Sequence, residues 1–292
     1  MTRWHNNTPT ADGERRGRLS VWWCVLSYCL LCSVVQADTT KKPQRIASLG
    51  LCTDQIVLML ADRNNIVTVN YMAANPKLSY MAAHVGNIPL NQGTAEEIIP
   101  YQPDLIISTA FASPDTTRML KTLGYRVELL PLPNTVQGIR DTLRLAAGWL
   151  GEPERAEALI QKMDNTIAAA QTRNQNKPVR RVIIYAPNGY TIGNGTLEND
   201  VLQQAGYRNI AAEIGISLFS QISIETLATL KPERILIDNH AYNQYSLAYL
   251  YVNHPIVKHI VPPENRVYVP SQLRDCAGPQ VADEIAWLAD QR

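Results

Sequence analysis

The sequence predicts an α/β fold of two similar lobes, each built on a parallel β-sheet, with a long helical segment between them. Short apolar runs alternate with helix-forming segments in both halves of the sequence, a pattern typical of parallel sheets. One segment occurs twice, at residues 94–107 and again at 223–237. Between the two copies, residues 135–174 are almost uniformly helix-forming. A chain whose halves repeat one local pattern in this way is expected to form two equivalent lobes.

Both copies of the repeated segment follow one rule of spacing. A hydroxyl residue is followed two places later by a glutamate, then by a proline seven places after that glutamate, an acid and an apolar run. The hydroxyl residues are expected N-caps, because their oxygens can accept from free first-turn N–H groups. Glu97 is expected to complete a capping box with the first of them. The prolines end the helices, so each glutamate lies in the first turn of a short helix. The residues are Thr94, Glu96 and Pro103 in the first copy and Ser223, Glu225 and Pro232 in the second.

Four strands and three helices are predicted before residue 135. Residues 45–49 form an apolar run after Pro43, and 53–62 show helical spacing with Thr53 as the expected cap. Residues 71–92 lack clear periodicity, so we expect a long loop there. Gly124 is expected to end the last of these helices. The predicted strands are 45–49, 66–70, 104–107 and 125–130, and the helices are 53–62, the segment that begins at Thr94, and 114–123.

The helical segment 135–174 is interrupted once, where Gly151 is expected to be a C-cap and Pro153 the first residue of a resumed helix. We interpret this segment as a connector, because the strand–helix pattern restarts after it; two consecutive helices of the first lobe are the alternative. The second lobe is predicted to contain strands at 182–186, 233–237 and 266–269. Its helices are predicted near 197–206, in the second copy of the repeat, and at 277–289.

The N-terminus has the features of a secretory signal peptide. Arg15, Arg16 and Arg18 form a basic region, residues 19–35 are apolar, and the small–x–small pattern ending at Ala37 predicts cleavage there. An uncleaved membrane anchor is the alternative, although an apolar stretch of roughly 17 residues is short for a span. Cleavage would remove Cys24, Cys29 and Cys32 and leave two cysteines.

Cys52 and Cys276 are then an even pair in an oxidising compartment, which favours a disulfide. Ligation of a ligand or of a soft metal by the two thiolates, or two unpaired thiols, are the alternatives. The formal net charge of the chain is +1, without a basic block, so the sequence gives no support for nucleic-acid binding.

Ligands of open α/β sheets bind beyond the carboxyl ends of the strands, so the residues that follow each predicted strand are the candidate ligand contacts. Many of them are tyrosines, whose large contact area and hydroxyl suit a bulky amphipathic ligand. Arg274 is a candidate partner for a ligand carboxylate or phosphate. The candidates are Cys52, Thr53, Tyr71, Met72, Phe111, Asn188, Tyr190, His240, Tyr242 and Arg274.

Motifs for metal binding or catalysis do not occur in this sequence. It contains no H-x-x-x-H pair, no G-x-S-x-G elbow, no phosphate-binding loop and no H-E-x-x-H. We therefore predict no metal site, no cofactor and no enzymatic activity. A periplasmic enzyme that uses His240, Asp238 or Cys276, and a membrane-anchored interaction module, are the alternatives from other functional classes.

The repeated segment resembles the family of periplasmic vitamin B12- and ferric siderophore-binding proteins of ABC importers, and the resemblance covers the chain from about residue 44 to its end. In that family one glutamate per lobe pairs with arginines of the membrane permease, which assigns this role to Glu96 and Glu225. The segments L-C-T-D-Q and C-A-G-P, which contain Cys52 and Cys276, also look like elements of a subset of this family.

The resemblance implies two Rossmann-like lobes with the ligand cleft between them. It implies a signal peptide at 1–37, an N-terminal lobe at 38–134, a connecting helix at 135–175 and a C-terminal lobe at 176–292. The expected function is capture of a ferric siderophore or a similar metal chelate in the periplasm, for delivery to the permease by a monomer. Cobalamin and haem are the alternative ligands.

Overall fold

The computed structural model describes residues 42–238 and 247–292. The predicted signal peptide at 1–37, and two of the candidate ligand contacts, His240 and Tyr242, lie outside these ranges. In the description that follows, helices and strands are numbered along the chain.

The first lobe contains a five-stranded sheet in which every pair of neighbouring strands is parallel. The strand order is β3-β2-β1-β4-β5, with the first strand of the chain at the centre. The central strands are buried on both faces, as expected for a parallel sheet covered by helices. The strands are β1 (Ile46–Ser48), β2 (Ile66–Asn70), β3 (Leu90–Asn91), β4 (Leu105–Thr109) and β5 (Val127–Leu130), and the helices are α1 (Leu51–Leu60), α2 (Ala82–Val85), α3 (Ala95–Ile98) and α4 (Pro114–Thr122).

The second lobe repeats this architecture with a four-stranded parallel sheet, in the order β11-β10-β6-β8, and adds an antiparallel pair, β7 and β9. The predicted class, two α/β lobes with parallel sheets, is therefore confirmed. The strands are β6 (Arg180–Ile184), β7 (Tyr190–Ile192), β8 (Tyr207–Asn209), β9 (Phe219–Gln221), β10 (Arg234–Asp238) and β11 (Arg266–Val269). The helices are α7 (Leu197–Gln204), α8 (Ile210–Glu213), α9 (Ile224–Leu230), α10 (Leu250–Asn253), α11 (Pro255–Ile260), α12 (Ser271–Arg274) and α13 (Val281–Asp290).

The predicted helical connection consists of α5 (Val136–Leu150) and α6 (Pro153–Asn174). Gly151 ends α5 with a left-handed φ of 70°, and Pro153 is the first residue of α6, as predicted. The two helices fold back on each other. Arg144 Nε lies 2.7 Å from Glu157 Oε1, and Arg140, which lies farther from the connection at Gly151, bonds Asp164. The connection is therefore a helical hairpin rather than one straight rod.

Side chains of this hairpin belong to a hydrophobic core that continues from one lobe into the other. A single cluster of buried residues contains Ile107 of β4, Leu143 of α5, Met163 of α6, Leu236 of β10 and Ile285 of α13. Each of these side chains is at most 2% exposed. The two sheets are thus packed against the same helices, which limits how freely the lobes can move relative to each other.

The repeated segment forms the same local structure in both lobes. Ser223 caps α9, and its Oγ accepts from the backbone N–H of Thr226 at 3.2 Å, as predicted. Helix α3 continues as a 3₁₀ turn at Ile99–Tyr101, whereas α9 runs on to Leu230. Both stretches end at a residue just before the proline, Gln102 or Lys231, with left-handed φ values of 43° and 47°. The prolines that follow are buried. A proline stops each helix here because its ring cannot follow a helical residue without a clash.

The capping box predicted for Thr94 and Glu97 is wrong. Thr94 precedes α3, but its hydroxyl accepts no bond from the helix. Instead it donates to Glu97 Oε2 at 3.1 Å, and the same oxygen accepts from the backbone N–H of Gln92 at 2.7 Å. The carboxylate of Glu97 therefore bonds the hydroxyl of the N-cap residue and the chain ahead of it, instead of the N-cap backbone N–H that a capping box requires.

The acid that follows each proline has a function that the sequence did not reveal. The carboxylate of Asp104 accepts from the backbone N–H groups of Gln44 and Arg45, at 2.7 and 2.9 Å. In the second lobe, Glu233 accepts from the backbone N–H of Arg181 at 3.1 Å. In the first lobe, Asp104 thus holds the start of β1 against β4. In the second lobe, Glu233 holds the start of β6 against β10.

Two further predictions differ from the structure. Helix α1 begins at Leu51 with Gly50 as its N-cap, so Thr53 lies within the helix and is not its cap. The segment 71–92 is not a structureless loop: it contains a 3₁₀ turn at Tyr71–Ala74, then α2 and β3. Elements as short as these last two carry too few residues to show a period in the sequence.

Replacing Asp104 with alanine is expected to lower the free energy of unfolding by about 1 kcal/mol, because two backbone N–H groups lose a charged acceptor. Urea titration followed by circular dichroism would measure the change. The matched control is Asp115→Ala, which removes an exposed carboxylate whose ion pair with Arg118 is open to solvent. Equal losses for the two variants would contradict the role given to Asp104.

Candidate functional site

The carboxyl-end edges of the two sheets lie beside each other. Each parallel sheet brings the carboxyl ends of its strands to one edge, where ligands of α/β proteins bind. Cys52, just after β1, is bonded to Cys276, after β11. Val136, after β5, donates its N–H to Asp200 Oδ2 of the second lobe at 2.6 Å, and Asn134 Nδ2 donates to the carbonyl of Gly195 at 3.3 Å. The predicted residues that follow the strands therefore lie along the two edges that this disulfide joins.

The bond between Cys52 and Cys276 joins positions 224 residues apart, with 5.1 Å between their Cα atoms. The predicted disulfide is confirmed, and the alternatives of soft-metal ligation and of unpaired thiols are wrong for this pair. A catalytic thiolate at Cys276 is excluded for the same reason, because a sulfur in a disulfide is not a nucleophile.

The first lobe carries exposed aromatic residues at the carboxyl ends of its strands. Phe111, after β4, is 77% exposed, and Tyr71, after β2, is 48% exposed. Met72 lies in the same 3₁₀ turn as Tyr71 and is half-buried. Thr53 is buried: its hydroxyl donates to the carbonyl of Gly50 and lies 2.8 Å from Ser48 Oγ. Its hydroxyl is therefore already engaged inside the protein.

The second lobe presents Asn188 and Tyr190 after β6. Both side chains are exposed, and Asn188 has a left-handed φ of 56°. The turn is tight, because a Cβ added at Gly189 would lie 2.7 Å from the carbonyl oxygen of Ile222. A glycine at this position lets the turn approach β9 closely and directs its neighbours outward.

Arg274 is held in a buried ion pair. Its Nε and Nη2 atoms donate to Glu284 Oε1 at 2.9 and 2.8 Å, and the side chains are 10% and 4% exposed. A buried guanidinium with a carboxylate partner is costly to separate. In this structure the ion pair connects α12 to α13. Arg274 could contact a ligand only if its guanidinium left Glu284.

Among cavities formed by the described residues, two include candidate ligand contacts and a third includes none. One of about 20 Å³ lies at the junction of the lobes and includes Leu132 and Ala277 beside Cys52. One of about 440 Å³ lies on the second lobe, and one of about 380 Å³ lies between α1, α6 and the start of α13. The second-lobe cavity is lined by Asn188, Gln221, Ile222, Ser223, Ile224, Glu225, Leu250, Tyr251 and His254.

The second-lobe cavity contains residues that the sequence did not single out, namely Gln221, Tyr251 and His254. The aromatic-rich segment after β10 was the one signal for Tyr251. Gln221 and His254 carried no signal, because a lone polar residue is most often a surface group. Gln221 Nε2 donates to the carbonyl of Asn188 at 3.4 Å, which ties β9 to a predicted contact residue.

Glu96 and Glu225 are both exposed and lie in the first turns of α3 and α9. A hydrogen bond from Ser223, with a smaller effect of His254, lowers the pKa of the Glu225 carboxyl. The carboxylate of Glu225 is therefore ionised at neutral pH, and a negative charge at a helix N-terminus is also favoured by the helix dipole.

Asp54 is a buried carboxyl group that the sequence analysis missed. It lies in the first turn of α1 and is 0% exposed; one oxygen accepts from the backbone N–H of Asn70 at 3.1 Å. Burial raises the pKa of Asp54 to about 7, against smaller opposing effects of the Ser48 hydroxyl and of the hydrogen bond from Asn70. In the sequence it reads as one of several acids near a helix start, and nothing there signals its burial.

A family model described as periplasmic binding protein matches residues 46–261. The chain belongs to this family. The vitamin B12-binding protein of Salmonella typhimurium is 28% identical over 149 residues, which are 50% of this chain and 55% of that protein. The chain thus spans about half the length of the curated relatives it matches.

Solved structures of periplasmic binding proteins share the fold. The periplasmic heme-binding protein of Roseiflexus sp. RS-1 superposes with a TM-score of 0.71 at 21% identity, over 85% of this chain and 97% of that one. A periplasmic heme-binding protein from Pseudomonas aeruginosa gives a TM-score of 0.62 at 25% identity, over 85% and 91%. These likenesses confirm the two-lobed arrangement.

The relatives and fold neighbours named here are solute-binding proteins rather than enzymes. Within residues 42–238 and 247–292, no three or more His, Cys, Asp or Glu side chains are grouped so that they could hold a metal ion. In the same ranges no helix is long and apolar enough to cross a membrane.

The stability of the protein is expected to fall as pH rises from about 4 to about 8, and Asp54→Asn should remove this part of the pH dependence. The pKa of Asp54 is raised from 3.8 to about 7 in the folded state. The folded state therefore binds more protons than the unfolded state between these values, and ionisation costs up to about 4 kcal/mol above them. Thermal unfolding of both proteins across this range would measure the effect.

The control for this prediction is Asp62→Asn, which changes an exposed acid just beyond the other end of α1. It should follow the wild-type pH profile. An Asp54→Asn protein that loses stability with pH as steeply as the wild type would show that the Asp54 carboxyl does not titrate in this range.

Proposed function

We propose that this chain is the substrate-binding component of an ABC importer, which captures a metal chelate in the periplasm and delivers it to the membrane permease. The observation that carries the proposal is the duplication: two carboxyl-end edges lie together, and each lobe carries an exposed glutamate in the same structural repeat. Membership of the periplasmic binding protein family supports it.

The proposal includes the organisation predicted from the sequence. The chain is exported with residues 1–37 as its signal peptide and acts as a monomer, with lobes at 38–134 and 176–292 joined by 135–175. The ligand lies between the lobes, in contact with residues such as Tyr71, Phe111, Asn188 and Tyr190. The disulfide supports export, since such bonds persist in oxidising compartments.

The permease is proposed to bind both lobes at once through Glu96 and Glu225. Two observations support this role. The helices that carry them end in the same way, at a left-handed residue before a buried proline, and the acids after the prolines anchor both segments to their sheets. Charges on fixed elements lose little entropy when they pair with arginines of a partner.

The sequence-based prediction put a ferric siderophore first and gave cobalamin and haem as alternatives. Among metal chelates we now propose cobalamin first, with haem and a ferric siderophore after it. The exposed candidate residues Tyr71, Phe111 and Tyr190 are aromatic and uncharged, and the one arginine proposed as a ligand contact, Arg274, is paired with Glu284. Such a surface suits a large, largely neutral corrinoid better than an anionic iron chelate. The names of the curated relatives, vitamin B12-binding protein, agree with this order.

Reversing both charges, Glu96→Lys with Glu225→Lys, is expected to abolish uptake of the ligand by cells and leave its affinity for the purified protein unchanged. The reason is that two attractive contacts with the permease become repulsive, while neither residue is a proposed ligand contact. Uptake of radiolabelled cyanocobalamin and isothermal titration with the same compound would measure the two effects.

The matched control is Glu154→Lys with Glu264→Lys. Both acids are exposed and lie in first turns, but Glu154 begins α6 beside the C-terminal end of α1, and Glu264 precedes β11. They therefore lie at the amino-end edges of the sheets, away from the junction. Normal uptake by the first double variant, or equal loss by both, would reject the docking assignment.

Ligand binding itself is tested by titrating the purified protein with cyanocobalamin, haemin and a ferric hydroxamate. Tyr71→Ala with Phe111→Ala should weaken binding of the true ligand by about tenfold or more, because each aromatic contributes about 1 kcal/mol of contact. Leu123→Ala, another exposed apolar residue, ends α4 away from the junction and should change nothing. Failure of all three compounds to bind would refute the chelate proposal.

A further inference from the structure

The buried carboxyl of Asp54 is connected to the ligand-facing surface by two hydrogen bonds. Asp54 Oδ1 accepts from the backbone N–H of Asn70 at 3.1 Å. The side-chain oxygen of Asn70 accepts in turn from the backbone N–H of Met72 at 3.2 Å. Asn70 is thereby the N-cap of the 3₁₀ turn Tyr71–Ala74, which carries two of the candidate ligand contacts.

The two groups in this path are buried. Asp54 is 0% and Asn70 3% exposed, and the second carboxylate oxygen of Asp54 has no hydrogen-bond partner among the described residues. A buried carboxylate with an unpartnered oxygen is costly, and protonation relieves that cost. Burial accordingly raises the pKa of Asp54 to about 7.

No ionic partner of Asp54 lies on the elements that contact α1. The strands β1, β2 and β4 offer neutral hydroxyl and amide groups, and the 3₁₀ turn offers Tyr71. The charged residues of α5 are paired elsewhere. Arg140 pairs with Asp164, Arg144 with Glu157, and Asp141 lies 3.8 Å from Arg144. The pKa of Asp54 is therefore set by the exclusion of solvent and by the hydrogen bond from Asn70, rather than by a neighbouring charge.

We propose that Asp54 is a positioning residue that sets the turn Tyr71–Ala74 through Asn70, so that ligand capture is coupled to the uptake of one proton by its carboxylate. The proposal rests on the function proposed above for its ligand. A ligand that covers Tyr71 and Met72 excludes water from the end of β2 and disfavours the ionised carboxylate still further. Up to one proton moves from solvent to Asp54 when the ligand binds, and the uptake is largest above the pKa of about 7, where the free carboxyl is mostly ionised.

The direction of the effect follows from this linkage. Binding takes up a proton, so affinity is higher at pH 6 than at pH 8. Each unit by which the ligand raises the pKa of Asp54 corresponds to about a tenfold change in affinity across the titration. In Asp54→Asn the side chain is neutral at every pH, and the affinity should stay flat at the value that the wild type reaches at low pH.

The first arm of the test needs no ligand. Hydrogen exchange of the amides of residues 70–75, corrected for the chemical exchange rate, is measured at pH 6 and pH 8. Protection should change with pH in the wild type and in Asp62→Asn and stay constant in Asp54→Asn. Constant protection in all three proteins, or the same pH dependence in all three, would overturn the control of the turn by Asp54.

The second arm measures the dissociation constant of cyanocobalamin from pH 5.5 to 8.5, with proton uptake read from titrations in two buffers of different ionisation enthalpy. The wild type and Asp62→Asn should tighten toward low pH, and Asp54→Asn should not. Parallel profiles for wild type and Asp54→Asn would overturn the coupling. A pH-dependent turn in a protein that binds no cyanocobalamin would keep the role of Asp54 and count against the ligand instead.

A second variant keeps the proposal testable if Asp54→Asn does not fold. The polar hydroxyl of Ser48 lowers the pKa of Asp54. Ser48→Ala should therefore move the midpoint of both pH profiles to higher pH without flattening them. A midpoint that stays in place would show that a group other than Asp54 titrates.

Discussion

The covalent bond between Cys52 and Cys276 fixes the place where the two lobes meet. It joins the first turn of α1 to the segment after β11, at the carboxyl-end edges of both sheets. A bond that closes a loop of 224 residues stabilises the fold by roughly 5 kcal/mol in the chain-entropy account. The hydrophobic core that both lobes share through α5, α6 and α13 also holds the lobes together. Every proposed ligand contact in the described chain depends on this arrangement, since it follows a strand that ends at one of the two edges.

The repeated segment forms the same local structure in both lobes. In each lobe a short helix carries an exposed glutamate, a left-handed residue and a buried proline end the helix, and an acid bonds the start of the lobe's first strand. The acid matters because it bonds the start of one strand to the start of its neighbour in the sheet. The equivalence of Glu96 and Glu225 is thus a property of the tertiary structure as well as of the spacing.

Predictions from the sequence succeeded where the signal was local and strong. The bounds of β2 and the break at Gly151 agree with the structure, because apolar runs and glycine–proline punctuation act within a few residues. They failed where hydrogen-bond partners compete. Thr94 donates to Glu97 instead of capping, and Thr53 bonds the carbonyl of Gly50 from inside the helix. Sequence spacing cannot show which of several nearby acceptors a hydroxyl will choose.

Periodicity and backbone chemistry were enough to predict the α/β class, the duplicated glutamate helices and the helical connection from the sequence. The partners of two buried ionisable side chains became visible only in the folded protein: Arg274 with Glu284, and Asp54 with Asn70. Each of these pairs joins residues at least ten positions apart, and burial strengthens or penalises their charges according to what surrounds them. Burial is a property of the packed chain, so the proton affinity of Asp54 could be known only once the strands and helices around it were in place.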